Sequence, residues 1–166
     1  MTNKEASDKQ EKMVAKYLGW RQVTGSGSRP THPGDVLSDE WMGECKTHVS
    51  PNHKVVFKKS VWDKICEEAY AHHRSPAYFS DDGSQLSKNT WVVFKSRLLP
   101  TNGDYKVVDR FGYAGDSISF DNFPNELHTH LLVRFNFNTK QDDLVHMRNV
   151  LFLTRLETFR DFINLE

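Results

Sequence analysis

Apolar residues change their spacing along this chain, and that change restricts the fold more than any other feature. Near the N-terminus Met13, Val14, Tyr17 and Leu18 lie on one helical stripe. Ser7-Asp8-Lys9-Gln10 has the form of a capping box before it, and Gly19 supplies a stop. Much later, Leu131, Val133, Phe135 and Phe137 alternate with Leu132, Arg134 and Asn136, the period of a half-buried strand. Leu156, Phe159, Phe162 and Ile163 then return to helical spacing. Between these segments the pattern predicts a short strand around Trp20 to Val23. It also predicts two strands, Asp35-Val36-Leu37 and Trp41 to Lys46, joined by the polar turn Ser38-Asp39-Glu40. Ser60 is placed to cap a helix carrying Val61, Trp62, Ile65, Ala69 and Tyr70, ending near His73-Arg74 before Pro76. Trp91 to Phe94 reads as a buried strand, with shorter candidates at Lys106 to Val108 and Val150 to Leu153. Residues 24–34, 79–89 and 100–125 read as loop. The order helix, strands, helix, strands, helix predicts an α/β or α+β domain.

With 166 residues, one domain spanning 1–166 has enough chain to bury a core without disulfides. Hydrophobic residues at 37% and charged residues at 27% exclude a disordered or fibrous class. No apolar run approaches the roughly 20 residues that cross a bilayer, and the polar N-terminus does not resemble a signal peptide. Two cysteines make no disulfide framework, so a reducing, cytoplasmic setting is expected. Lys plus Arg and Asp plus Glu both total 22, so net charge points to no polyanionic partner. The distribution says more. From Thr47 to Trp62 there is no acidic residue, while His48, His53, Lys54, Lys58 and Lys59 all fall there, a stretch suited either to neutralising phosphates or to forming a solvated basic face.

The segment richest in chemistry is Pro33-Gly34-Asp35, eight intervening residues, then Glu44-Cys45-Lys46. On one strand, Glu44 and Lys46 share a face, and a hairpin brings Asp35 beside them. Two carboxylates suit Mg²⁺, a hard cation that keeps its waters and takes few protein ligands. Such an ion would polarise a scissile phosphate and activate water, with Lys46 orienting that water or balancing transition-state charge. Cys45 would turn its thiol into the core and leave its carbonyl as a further metal ligand. The same three residues also fit an ordinary cross-strand ion cluster.

The "VTGSGS" loop, the "PGDV" turn and the "GECKT" strand, with the helices on either side, resemble the PD-(D/E)XK nuclease superfamily. Within it they look most like the archaeal-type Holliday junction resolvases, over about residues 7 to 73. The resemblance implies a restriction-endonuclease-like core of helix, mixed sheet and helix, with residues 74–166 as a C-terminal strand and helix elaboration. It implies that Asp35 and Glu44 bind Mg²⁺, with Mn²⁺ as a substitute, and that Lys46 assists the attacking water. A first-helix glutamate near the metal falls on Glu11, with Asp8 and Glu5 as competitors. Ser26 or Ser28 is implied as a loop contribution to the site. The DNA-facing set is then Ser26, Ser28, Arg29, His48, Lys54, Lys58 and Lys59. The implied activity is a metal-dependent endonuclease on branched DNA, working as a homodimer. Other DNA nucleases share this site chemistry, and a non-catalytic nucleic-acid-binding protein is the rival. The motif departs from the family in reading Pro-Gly-Asp rather than Pro-Asp, and the roughly 90 residues after His73 match no family pattern.

Other chemistries fit less well. His72-His73 and His128-Thr129-His130 have no compact zinc spacing with Cys45 or Cys66. The Thr24 to Ser28 loop lacks the Lys-Ser/Thr of a phosphate-binding P-loop, and no Gly-x-Ser-x-Gly is present. The four tryptophans stand mostly in apolar contexts and read as core, with exposure and base stacking of Trp41 in the hairpin as the alternative.

Overall fold

A computed structural model of the chain describes residues 2–23, 34–48, 52–95, 105–109, 115–121, 131–138 and 150–165. Among them are three α-helices, α1 (Asn3–Leu18), α2 (Lys59–Ala71) and α3 (Leu156–Leu165). The strands in chain order are β1 (Arg21–Gln22), β2 (Val36–Leu37), β3 (Trp41–Lys46), β4 (Lys54–Lys58) and β5 (Ser75–Asp81). They continue with β6 (Thr90–Phe94), β7 (Lys106–Asp109), β8 (Ser117–Asp121), β9 (Leu131–Phe135) and β10 (Leu151–Arg155). Eight strands form one mixed sheet in the order β1-β2-β3-β5-β6-β10-β9-β7, and β4 pairs with β8 in a separate antiparallel ribbon. The β3–β5 and β7–β9 pairs are parallel, and the remaining pairs of the large sheet are antiparallel.

Both faces of the sheet are covered. One face carries Met42, Tyr78, Trp91, Val93, Val133 and Leu153 against Trp62, Ile65 and Ala69 of α2 and against Val55, Phe57, Ile118 and Phe120 of the β4–β8 ribbon. The other packs Trp41, Cys45, Ala77, Phe79, Val92, Phe94, Leu132 and Phe152 against Val14 and Ala15 of α1 and Leu156, Phe159 and Phe162 of α3. Burial on two sides explains why the strands read as apolar runs rather than clean alternations. Leu132, expected to face solvent, is fully buried, while Arg134 is partly exposed and pairs with Asp109 on neighbouring β7.

Several expectations need correction. The cap of α1 is Thr2, whose side chain accepts from Glu5 N–H while Glu5 answers at the Thr2 N–H. Two S/T-x-x-E/Q patterns stand in tandem, and the upstream one is used. Helix α2 begins at Lys59, not at a Ser60 cap, because the chain passes directly from β4 into the helix without a side-chain cap. Tyr70 is 51% exposed rather than inward. Residues 79–81 belong to β5, a central strand that begins beside Pro76. Its register with β6 starts only at Ala77, so Pro76 falls where no ladder donor toward β6 is needed. Strands β4 and β8, expected as a basic stretch and as loop, each bury alternate residues: Val55 and Phe57, Ile118 and Phe120.

Candidate functional site

Glycine geometry sets the hairpin that carries the acidic cluster. Gly34 has φ of 74°, and a Cβ there would lie 2.7 Å from the Met42 side chain. Gly43 pairs with Val36, and a Cβ there would stand 2.5 Å from the Phe79 ring and 2.7 Å from Val36. The tight β2–β3 pairing and the β3–β5 ladder therefore both depend on that missing side chain. Beyond the Val36–Gly43 pair, Asp35 N–H donates to the Gly43 carbonyl at 2.8 Å, and the Asp35 carboxylate (Oδ2) accepts from Cys45 N–H at 2.8 Å. Asp35 and Glu44 are each only 8% exposed. Glu44 and Lys46 share the α2-side face, and Lys46 Nζ stands 3.2 Å from Glu44 Oε1 while itself remaining exposed. Cys45 turns the other way, into the core beneath α1. Burial, then the surrounding carboxylates, pushes its thiol well up, which disfavours a thiolate.

Helix α1 closes the site. Gln10, fully buried, donates Nε2 to the Lys46 carbonyl at 2.7 Å. Glu11 accepts from Gln22 Nε2 on β1 at 3.2 Å, and Gln22 also donates to Asp8 at 3.0 Å. Burial, then the Asp35 carboxylate, raises the Glu11 carboxyl to about 7. Glu44 is likewise raised to about 7 by burial and then by Asp35, while Lys46 and Lys64 of α2 pull it down. Among the three first-helix candidates, Glu11 is the half-buried one whose carboxyl is raised by Asp35 and Glu44. Asp8 is exposed and paired with Lys12 at 2.9 Å, and Glu5 is occupied at the cap. Helix α2 also contributes: Glu68 accepts from Gly34 N–H at 3.3 Å, tying the residue before Asp35 to the opposite layer. Gln10, Lys64 and Glu68 were not singled out by the sequence motif. Gln10 does continue the Ala6, Gln10, Val14 spacing of the buried α1 face, a polar residue on an apolar stripe.

Strand β4 crosses β5 on the Glu44 and Lys46 side. Ser80 Oγ donates to the Val56 carbonyl at 2.8 Å, and Lys58 N–H donates to the Tyr78 hydroxyl at 3.2 Å. This places the exposed Lys54 and Lys58 on a ribbon beside the acidic cluster. Lys59 is held by Asp63 at 2.5 Å, and His48 is half-buried just after β3. Ser26, Ser28 and Arg29, like His128 and His130, lie outside the described residues. Trp41 is buried and stacks with Trp20 at 6.4 Å between ring centroids, so it is a core residue and not a base-stacking surface.

Burial and the Asp35 carboxylate raise both Glu11 and Glu44, yet among the described residues no three His, Cys, Asp or Glu side chains stand close enough together to hold a metal ion. Among the described residues no helix is long and apolar enough to cross a membrane. No family model, curated protein or solved structure matches the chain.

Proposed function

We propose that the chain is a metal-dependent endodeoxyribonuclease of the PD-(D/E)XK type, acting on branched DNA as a homodimer. The observation that carries this reading is the placement of Asp35, Glu44 and Lys46 on one hairpin, with the Asp35 carboxylate raising Glu11 of the neighbouring helix α1. In this reading α1, the β1–β3 and β5 strands and α2 make up a restriction-endonuclease-like core. Asp35, Glu44 and Glu11 would hold Mg²⁺ or Mn²⁺, with the Cys45 carbonyl as a further ligand. The ion supplies Lewis-acid polarisation of a phosphoryl oxygen. Lys46 is the exposed cation that pairs directly with Glu44. It orients the attacking water and offsets charge growing on the phosphate, and Gln10 anchors its main chain. Lys54 and Lys58 offer phosphate contacts on the neighbouring ribbon.

A second reading, a binding protein without turnover, draws on the Lys46–Glu44 ion pair, which already neutralises part of the cluster. A labelled panel of four-way junction, flap, linear duplex and single strand separates the two, each with Mg²⁺, with EDTA and with Lys46→Ala. Paired symmetric nicks in the junction, lost with EDTA and with the variant, are expected. Cutting of a different DNA keeps the nuclease and discards the junction, and no cutting with Mg²⁺ or Mn²⁺ favours the binding protein.

A further inference from the structure

A second feature lies on the same rim of the sheet. A cavity of about 250 Å³ is lined by Tyr17 of α1, Ser87 and Lys88 of the short 3-10 helix Ser87–Asn89, Arg155 at the end of β10, and Glu157 in the first turn of α3. The Arg155 guanidinium lies 5.6 Å from the Trp91 ring centroid, and its Nη2 donates to the Lys88 carbonyl at 2.9 Å. It is therefore held in place before any ligand arrives. Arg160 stacks over the Tyr17 ring at 4.3 Å. Among the described residues Glu157 is the one carboxylate of the lining.

Sheet register places this cavity relative to the acidic site. Lys46 pairs with Ser80, Ser80 with Trp91, and Trp91 with Arg155, so Lys46 and Arg155 sit on one row across four adjacent strands. Three interstrand steps make about 14 Å. That matches about four phosphates along one strand of a duplex, each advancing about 3.4 Å along the axis. The carboxylates between them are turned into their own loop: Asp81 accepts from Thr47 Oγ1, Gly83 N–H and Gln85 N–H, and Asp82 accepts from Ser84 N–H. The Ser80 and Trp91 positions between them are buried beneath the β4–β8 ribbon, so Lys46 and Arg155 are related by this spacing at the strand ends, with exposed Lys88 beside Arg155.

We propose that the Tyr17, Ser87, Lys88 and Arg155 cavity is a subsite for a DNA backbone phosphate remote from the scissile bond. The identity of the ligand rests on the nuclease reading. The Arg155 fork and the Lys88 ammonium suit phosphate oxygens, Ser87 adds a hydroxyl donor, and the first-turn N–H groups of α3 favour an anion. Glu157 weakens the subsite by repulsion.

The test is fluorescence anisotropy of a labelled DNA duplex in EDTA, where no cutting interferes, at several salt concentrations. Lys88→Ala and Arg155→Gln are each expected to weaken binding about three- to tenfold and to reduce the salt slope by about 0.9. Glu157→Gln is expected to tighten binding. Lys4→Ala, at the start of α1, is the charge control and should bind like the wild type. Should Arg155→Gln fail to fold, exposed Lys88 carries the test. Wild-type binding by Lys88→Ala, equal weakening by Lys4→Ala, or a wild-type protein that binds no DNA overturns the subsite. Cleavage separates the two proposals: Lys88-dependent binding without any cleavage leaves the subsite and removes the nuclease, whereas cleavage with Lys88-independent binding does the reverse.

Discussion

Two groups of buried carboxylates lie one strand apart in this protein, and they are treated differently. Asp81, at the end of β5, is fully buried, and its oxygens are taken by one hydroxyl and two backbone N–H donors. Its partner Thr47 also accepts from Gln85 Nε2, which closes the network around the β5–β6 connection. Glu44, on the adjacent strand β3, has the Lys46 ammonium on one oxygen and feels the repulsion of Asp35. Burial raises the carboxyl pKa in both places, but only at Asp81 do several hydrogen bonds pull it back. A saturated buried carboxylate is a structural tie. A crowded one, repelled by its neighbours, holds its proton to higher pH.

Substitutions can break this contrast. In the nuclease reading proposed above, Lys46→Ala should lower DNA cleavage by about 10²- to 10³-fold while leaving circular dichroism unchanged, because the ammonium is exposed and buries nothing. Equal turnover by that variant would remove Lys46 from the mechanism. Asp81→Ala should cost about 2–4 kcal/mol in a urea melt, because Thr47, Gly83 and Gln85 lose their acceptor in the interior. A loss confined to cleavage, with the melt unmoved, would make Asp81 part of the site instead.

The pH dependence sharpens the same comparison. Glu44 titrates near 7 in the folded chain against an ordinary 4.5, so the folded form binds its proton more tightly than the unfolded form does. The stability this contributes is present below about 4.5 and is lost as pH rises to about 7. Without divalent metal, the melting temperature should therefore fall between pH 5 and pH 8, and Glu44→Gln should flatten that fall. An identical slope in the variant would show that Glu44 is not the titrating group. The smallest effect is expected at Lys59→Ala, whose partner Asp63 is exposed on the same helix, with no measurable change in melting temperature.

How much of this was legible in the sequence depended on whether pattern and packing agreed. The β2–β3 hairpin was readable because its polar turn and its shared-face Glu44 and Lys46 both act locally. Helix α3 and strands β6 and β10 were readable because their apolar spacing matches the faces they bury. Strand β5 was hidden by Pro76, which tertiary pairing tolerates only because that end of the strand has no β6 neighbour. Strand β4 was hidden by its lysines: Lys54 and Lys58 bracket Val55 and Phe57, and basic character masked the alternation. The site's framework was legible in part. Asp35, Glu44 and Lys46 follow from spacing, whereas Gln10 and Glu68 act across 36 and 34 residues of sequence. No local pattern carries such contacts.

The most direct measurement is a calorimetric titration of Mg²⁺, and then Mn²⁺, into the wild type and into Asp35→Asn at pH 8. Asparagine keeps an oxygen to accept from Cys45 N–H, so the hairpin should survive the change. The account predicts saturable binding to the wild type that weakens as pH falls below about 7, where Glu11 and Glu44 take up protons, and no binding to the variant. Equal heats from both proteins would contradict it, leaving Asp35, Glu44 and Lys46 as an ion cluster within the fold.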